Sequence, residues 1–181
     1  RRLTLVTLGT FLAGSLICAT APSFGLLLTG RLVQAVSAAE RMDFTLQKSV
    51  ELGVAEIRPV ISERCVVRLS GERAEKRVAR WQEIVVSACE QSGRNIVPKV
   101  LPLTTYVQAL QQLPQETTKL LMSLNRAQKL SDVRPQSGKV VFMVGPEGGW
   151  TEKEEQQAFD AGFQSVTLGK RVLRTETASL A

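Results

Sequence analysis

The sequence predicts an α/β domain with a largely parallel sheet. After residue 40, short apolar segments alternate with segments whose apolar residues recur at helical spacing. The run "KVVFMV" (139–144) is short, apolar after its lysine and β-branched at its start, as expected of a buried strand. A glycine-rich turn follows that strand directly, and open α/β sheets bind ligands beyond the carboxyl ends of their strands.

The first half of the domain contains two long predicted helices. "ERMDFTLQKSVELGV" (40–54) has Met42, Leu46 and Val50 at near-helical spacing and Gly53 as its stop. Strands are predicted at 54–62 and 64–69. The helix "SGERAEKRVARWQEIVVSACEQSG" (70–93) ends at Gly93, and its apolar face consists of Val78, Trp81, Val85 and Ala88. Its basic residues form either a solvated face or an RNA contact: Arg73, Lys76, Arg77 and Arg80.

The second half has shorter predicted elements. They are an extended piece at 97–103, a helix at 105–113, a strand at 118–124, a helix with a loop in 126–138, and the strand 139–144. Thr151 and Glu154 have the spacing of a capping box, which predicts a helix over 152–161 ended by Gly162. A strand at 164–169 follows.

Composition limits the chemistry. A net charge of +6 and a pI near 9.6 fit an anionic partner such as RNA, DNA or acidic lipid, or simply a basic surface. The chain has no histidine, which excludes a Ser-His triad and a histidine-ligated metal. Cys18, Cys65 and Cys89 are far apart, so neither a zinc site nor a disulfide framework is expected, and a reducing compartment is favoured. Cys65 and Cys89 fit small buried residues.

Residues 1–30 differ from the rest of the chain. Two arginines precede a segment, 3–30, without any charge, and its apolar part (3–21) is long enough to span a bilayer. "APSFGLLLTGRLVQAVSAA" (21–39) resembles part of a major facilitator transporter, although one such segment forms no transport pathway. The segment is interpreted as a misjoined reading frame, a fusion or a membrane anchor, with a buried strand-helix unit or a secretory signal as alternatives. We place the boundary between residues 30 and 40.

Two successive strands lead into unusual loops. The strand 139–144 runs into Gly-Pro-Glu-Gly-Gly (145–149), and the strand 164–169 runs into "GKRVLRTETA" (169–178). Neither loop has P-loop or G-x-G-x-x-G spacing. Because both follow strands of one predicted sheet, they predict a small-molecule pocket at its edge, whereas either loop alone could merely connect elements.

The segment "VGPEGGWTEKEEQQAFDAGFQSVTLGKRVLRTETASLA" closely resembles the C-terminal signature of the RsmE family, which are SPOUT-class methyltransferases. The resemblance continues upstream through "ERMDFTLQKSVELGVAEIRPVISERCVVRL" and covers roughly residues 31–181. It implies a parallel sheet with a C-terminal trefoil knot, a first strand at 31–36, and methylation of N3 of a uridine in small-subunit (16S) ribosomal RNA. On this resemblance, residues 1–30 would stand in place of the family's RNA-gripping β-barrel, and the family's last helix would be cut at Ala181.

The resemblance also implies S-adenosylmethionine as cofactor, held by the loops 145–149 and 168–175 and by the strand end at 121–124. The implied contact residues are Leu121, Leu124, Val144, Gly145, Pro146, Glu147, Gly148, Gly149, Leu168, Gly169, Val172, Leu173 and Thr175.

Catalysis would require uridine N3–H to lose its proton. Arg174 is a candidate for stabilising the uridine anion, and Glu176 is a candidate base. Either residue could instead have a structural role. Glu176 lies near a helix start, where a carboxylate interacts favourably with the helix dipole. Arg94 and Arg171 are candidate RNA contacts, and Arg94 could instead contact a second subunit.

The sequence is compatible with three functions. They are an rRNA methyltransferase that is cytoplasmic and homodimeric, a cofactor-binding fragment without catalysis, and a membrane-anchored, transporter-derived fusion in which membrane association would use residues 3–21.

Overall fold

A parallel β-sheet is the centre of the fold. The computed structural model describes residues 30–67, 69–135, 138–169 and 171–180, and in this part of the chain eight strands form one sheet. Across the sheet the strands lie in the order 99–100, 56–61, 30–35, 140–144, 118–122, 164–167 and 128–129, with 104–105 paired to 56–61, and every pair is parallel. The predicted parallel α/β class is confirmed, whereas the predictions for residues 1–29, including Cys18, lie outside the described residues.

The first half of the chain supplies one side of the sheet and the long helices. Its elements are β1 (Gly30–Ala35), α1 (Ala39–Glu51), β2 (Glu56–Ile61), α2 (Gly71–Ser92), β3 (Lys99–Val100), β4 (Thr104–Thr105) and α3 (Tyr106–Gln111). The two predicted stops hold, because Gly53 and Gly93 have φ angles of 96° and 71°, in the left-handed region that favours glycine.

The second half of the chain supplies the other strands and the loops at their ends. Its elements are β5 (Thr118–Met122), β6 (Gln128–Lys129), a 3₁₀ turn (Leu130–Asp132), β7 (Val140–Val144), α4 (Glu152–Asp160), β8 (Gln164–Thr167) and α5 (Thr175–Ala178). The capping box at the start of α4 is present as predicted: Thr151 accepts from the Glu154 N–H and Glu154 accepts from the Thr151 N–H.

Two local predictions are wrong. The described residues within 64–69 form no strand, because the Cys65 N–H bonds back to the Ser62 carbonyl in a turn, and β2 already pairs with β3 and β4 on that side. The helix predicted within 126–138 is absent from the described residues of that range. A two-residue strand, β6, and a single 3₁₀ turn occupy its place.

The helices α1 and α2 pack on the sheet and on each other. Their predicted apolar faces are confirmed, since Met42, Leu46 and Val50 are fully buried and Trp81 and Val85 are at most 1% exposed. Cys65 and Cys89 are buried free thiols, as predicted. This core packs the two helices closely against strands from both halves of the chain, among them β1, β2 and β7.

The C-terminal segment returns across the sheet. β8 pairs with β5, yet Ala178 in α5 packs with Leu32 of β1 and Val144 of β7. The Ser179 hydroxyl also donates to Oε1 of the buried Gln34 at 2.7 Å. β8 thus lies beside β5, whereas α5 lies against β1 and β7.

Among the described residues, no helix is both long enough and apolar enough to cross a bilayer.

Candidate functional site

A cavity of about 380 Å³ lies where three strands end. The chain leaves β5, β7 and β8 at the carboxyl edge of the sheet, and the segments that follow these strands form the cavity walls. The size falls within the range of roughly 300–1,000 Å³ that is usual for small-molecule sites. The lining residues are Met122, Ser123, Leu124, Asn125, Val144, Gly145, Pro146, Gly149, Trp150, Glu155, Val166, Thr167, Arg171, Val172, Leu173, Thr175 and Ala178.

Trp150 braces two of these walls. Its indole N–H donates to the Met122 carbonyl at 3.2 Å, which joins the loop after β7 to the end of β5. Its ring packs 5.3 Å from the Tyr106 ring, centroid to centroid. A Cβ on Gly145 would lie 3.1 Å from the indole, so glycine at that position allows the ring to lie flat against the turn.

A buried carboxylate fixes the other side of the same turn. Glu154 is 4% exposed, and its Oε1 accepts from the Glu63 N–H at 2.8 Å while its Oε2 accepts from the Thr151 N–H at 2.9 Å. The Tyr106 hydroxyl donates to the Glu154 carbonyl at 2.6 Å. Burial, followed by the nearby carboxylates of Glu154 and Glu155, raises the pKa of the Tyr106 phenol, which keeps it a hydrogen-bond donor.

The glycine turn has an inner and an outer side. Gly145, Pro146 and Gly149 line the cavity, and Gly149 has a φ angle of 70° with no atom within 4 Å of a Cβ built there. Glu147 faces away, where it accepts from the Ala38 N–H at 3.0 Å. Gly148 also lies outside the cavity, and a Cβ there would come within 3.1 Å of the Arg64 Cβ.

Eight of the thirteen predicted contact residues line this cavity. They are Leu124, Val144, Gly145, Pro146, Gly149, Val172, Leu173 and Thr175. Leu168 and Gly169 border an adjoining pocket together with Arg171 and Leu173. Leu121 is fully buried in the core behind the cavity.

Sequence reasoning missed several lining residues. Met122 and Ser123 lie within the predicted wall 121–124 without being named as contacts, and Asn125 follows directly, so the rule that ligands bind beyond strand ends could have extended that wall by one residue. Trp150 follows the glycine turn immediately, and Glu155 is one position beyond the capping box. Ala178 belongs to the predicted loop 169–178 but was not named as a contact, whereas Val166 and Thr167 carried no motif signal, since each resembles any residue of a strand end.

The candidate catalytic pair lies at the start of α5. The Arg174 side chain is 85% exposed, and its Nη1 lies 4.0 Å from Oε1 of Glu176. Glu176 is in the first turn of α5, and its Oε2 is buried without a hydrogen-bond partner in the described structure. Thr175, between them, lines the cavity, whereas Arg174 and Glu176 are not among its lining residues.

The candidate RNA-contact arginines have different surroundings. Arg171 lines the cavity and is exposed. Arg94 donates to the carbonyls of Val50 at 3.0 Å and Gly53 at 3.3 Å, so its guanidinium caps the C-terminal end of α1. On the basic face of α2, Lys76 pairs with Glu72 at 2.6 Å and Arg80 with Asp43 at 3.6 Å, which favours the solvated-face interpretation there.

Residues 28–181 match the family model described as an RNA methyltransferase domain. Ribosomal RNA small subunit methyltransferase E of Mesomycoplasma hyopneumoniae is 39% identical over 149 residues, which cover 82% of this chain and 65% of the relative. The protein of the same name from Bacillus subtilis is 33% identical over 150 residues, covering 78% of this chain and 58% of the relative.

Solved structures resemble the described domain closely. Ribosomal RNA small subunit methyltransferase E from Neisseria gonorrhoeae, bound to S-adenosyl methionine, superposes with a TM-score of 0.82 at 72% identity, covering 84% of this chain and 63% of that one. A methyltransferase from Legionella pneumophila in complex with the same cofactor gives a TM-score of 0.80 at 39% identity, with the same two coverages. The chain thus spans less than two thirds of the length of these relatives.

Proposed function

The chain belongs to the RNA methyltransferase domain family, and from that premise we propose that it transfers a methyl group from S-adenosylmethionine to N3 of a uridine in small-subunit (16S) ribosomal RNA. The observation that carries the proposal is the cavity at the carboxyl ends of β5, β7 and β8. It lies in a domain that is 72% identical to a structure solved with S-adenosyl methionine.

The lining of the cavity fits this cofactor. Val144, Val172 and Leu173 would flank the adenine, and the backbone groups of the Gly145–Gly149 turn would bind its polar edge. The open space in front of Gly149 lets a ligand approach the backbone closely. When bound, S-adenosylmethionine supplies an activated methyl group on a positively charged sulfur, which needs no metal ion.

The residues at the start of α5 would act on the uridine. N3 must be deprotonated before or during attack, so a group that stabilises the uridine anion lowers the barrier. Arg174 is exposed and free to meet an incoming base, since its contact with Glu176 is long at 4.0 Å. The unpartnered Oε2 of Glu176 supports a role in accepting the N3 proton, alongside its place in the first turn of α5.

The course of the C-terminal segment supports the knotted fold that the family resemblance implies. The chain leaves β8 beside β5 and enters α5 against β7 and β1, and residues 171–173, just before α5, form one cavity wall. A trefoil knot in this position would hold the wall to the other two without covalent links.

The proposed partner is ribosomal RNA of the small subunit, which places the protein in the cytoplasm. A net charge of +6 supports binding to a polyanion. Arg171, at the cavity, is the proposed contact closest to the reaction, and Arg94 a more distant one. The protein is further proposed to act as a homodimer.

The test is methyl transfer by the full 181-residue chain. A small-subunit rRNA fragment would be incubated with S-adenosylmethionine carrying a labelled methyl group, and the product nucleosides would be separated by mass spectrometry. We expect labelled 3-methyluridine, and we expect its loss in Arg174→Ala. Label at another nucleoside would contradict the uridine-N3 assignment. Cofactor binding without any transfer would instead favour the cofactor-binding protein without catalysis.

A further inference from the structure

A single acidic side chain stands in the cavity wall. Among the described residues that line the cavity, Glu155 carries the sole carboxylate and Arg171 the sole cationic group. Glu155 lies in the first turn of α4, one position after the buried Glu154, whose carboxylate already accepts from the Glu63 and Thr151 N–H groups. Glu155 is half-buried and faces the segment that follows β5.

Neutral donors hold this carboxylate in place. The Ser123 hydroxyl donates to Oε1, and the Asn125 side-chain amide donates to Oε2 at 3.0 Å. The Asn125 backbone N–H also bonds the Ser123 hydroxyl at 3.0 Å, which orders the donors themselves. No ion pair with lysine or arginine involves Glu155 in the part of the chain that the structure describes. Its negative charge is therefore oriented but not neutralised.

Such a charge would offset an electrostatic repulsion between the basic chain and its proposed cofactor. A chain with a net charge of +6 attracts RNA, but it also repels a cofactor whose sulfur is cationic. The spent cofactor, S-adenosylhomocysteine, has an uncharged thioether and meets no such repulsion. Without a local negative charge, the cavity would favour product over substrate.

We propose that Glu155 makes the cavity prefer S-adenosylmethionine to S-adenosylhomocysteine by its charge. This specificity role rests on the proposed function and extends it. The two ligands share their nucleoside and amino-acid parts and differ at the sulfur, so contacts to the shared parts bind both alike. A group that senses the positive charge separates them electrostatically, in addition to any contact with the methyl group itself. Methyl transfer removes that charge and therefore weakens binding of the product.

The test is calorimetric titration of the full chain with each ligand. Glu155→Gln keeps the size and hydrogen-bonding capacity of the side chain and removes its charge. We expect the ratio of the two affinities to fall roughly fivefold, near the upper end of what a partly exposed ion pair contributes. The affinity for S-adenosylhomocysteine should change less than about twofold. Glu152→Gln, which removes an exposed carboxylate from the same helical turn, should leave the ratio unchanged.

Each other outcome has a defined meaning. An equal loss for both ligands would show that Glu155 only positions residues 123–125, and an unchanged ratio would show no charge selection; either overturns the proposal. If the wild-type chain bound neither ligand, the proposed function itself would fail. Salt gives a second readout. Because salt screens both the attraction by Glu155 and the repulsion by the basic chain, raising it should lower the ratio more in the wild-type chain than in Glu155→Gln, and identical salt dependences would contradict the proposal.

Discussion

The helix pair α1–α2 and the cavity edge are held together by different forces. Between the helices, apolar side chains such as Leu46 and Trp81 are buried completely or nearly so. At the cavity edge, single polar contacts join the loops: Trp150 to the Met122 carbonyl, and Glu154 to the Glu63 N–H. Many buried side chains share the stabilisation of the helix pair, whereas only a few hydrogen bonds hold the loops at the cavity edge.

Because the two regions are stabilised differently, substitutions in the helix pair should mainly affect stability and substitutions at the cavity edge should mainly affect binding. Loss of one core side chain costs free energy of unfolding but leaves the loops joined as before. Loss of one loop contact costs little stability, yet it frees a wall of the cavity, so ligand affinity should fall first. The following predictions separate these two effects, from the largest to the smallest.

Trp81→Ala should have the largest effect on stability. Trp81 is 1% exposed in α2, and truncating a buried aromatic side chain costs about 3–5 kcal/mol. Urea denaturation measures the loss, and Val86→Ala on the exposed side of the same helix should cost about 0.5 kcal/mol or less. The contrast would be refuted if folded Trp81→Ala lost more free energy of binding to S-adenosylmethionine than free energy of unfolding.

Gly149→Ala should mainly weaken cofactor binding. At a φ angle of 70°, a Cβ is strained by about 1–2 kcal/mol, and relief of that strain would move the turn that lines the cavity. We expect affinity for S-adenosylmethionine to fall about tenfold, as 1.4 kcal/mol of binding energy implies. Gly138→Ala, where a Cβ meets open space, is the matched control and should bind normally. Equal affinities of the two variants would count against the turn as a binding wall.

Trp150→Phe should weaken binding less than Gly149→Ala. It removes the indole N–H from the Met122 carbonyl, a hydrogen bond worth about 1 kcal/mol, while keeping an aromatic ring beside Tyr106. Calorimetry should show roughly fivefold lower affinity for the cofactor with a small change in urea midpoint. A drop in the urea midpoint as large as that of Trp81→Ala would show that this hydrogen bond supports the whole core, in which Trp150 is buried, rather than the cavity wall.

Tyr106→Phe should have the smallest effect, visible mainly in its pH dependence. Burial raises the pKa of the folded Tyr106 phenol, so above about pH 10 the unfolded chain releases this proton more readily than the folded one. Stability contributed by the protonated phenol is thus complete below that pH and is lost as pH rises. Urea midpoints measured between neutral and alkaline pH should decline less steeply in the variant, and parallel profiles would refute this role of Tyr106.

The same contrast decides what could be predicted from the sequence. Apolar periodicity predicted α1, α2 and the strands around β7 because burial imposes it directly, as at Met42 and Val85. The strand expected at 64–69 failed because "RCVVRL" has strand-like composition, while a local turn at Cys65 and the pairing of β2 exclude it. The strands that pair with each other are far apart in the sequence, so the local sequence of a segment does not show whether it has a pairing partner.

For the cavity, motifs predicted the two loops but not how they are held. The glycines and the capping box at Thr151 indicate a turn and a helix start, and both occur. Whether a residue of such a turn faces the cavity depends on the side chains that contact the turn. Arg64, from a distant part of the sequence, contacts Gly148, and the Trp150 indole contacts Gly145. Hence Glu147 and Gly148, though part of the motif, lie on its outer side.

A calorimetric titration of the full chain with S-adenosylmethionine tests the cofactor site most directly. We expect saturable binding of one molecule per chain that is weakened in Gly149→Ala and retained in Gly138→Ala. Absence of saturable binding by the folded wild-type chain, or binding that is the same in both variants, would contradict the claim that the loops after β5, β7 and β8 form the cofactor site.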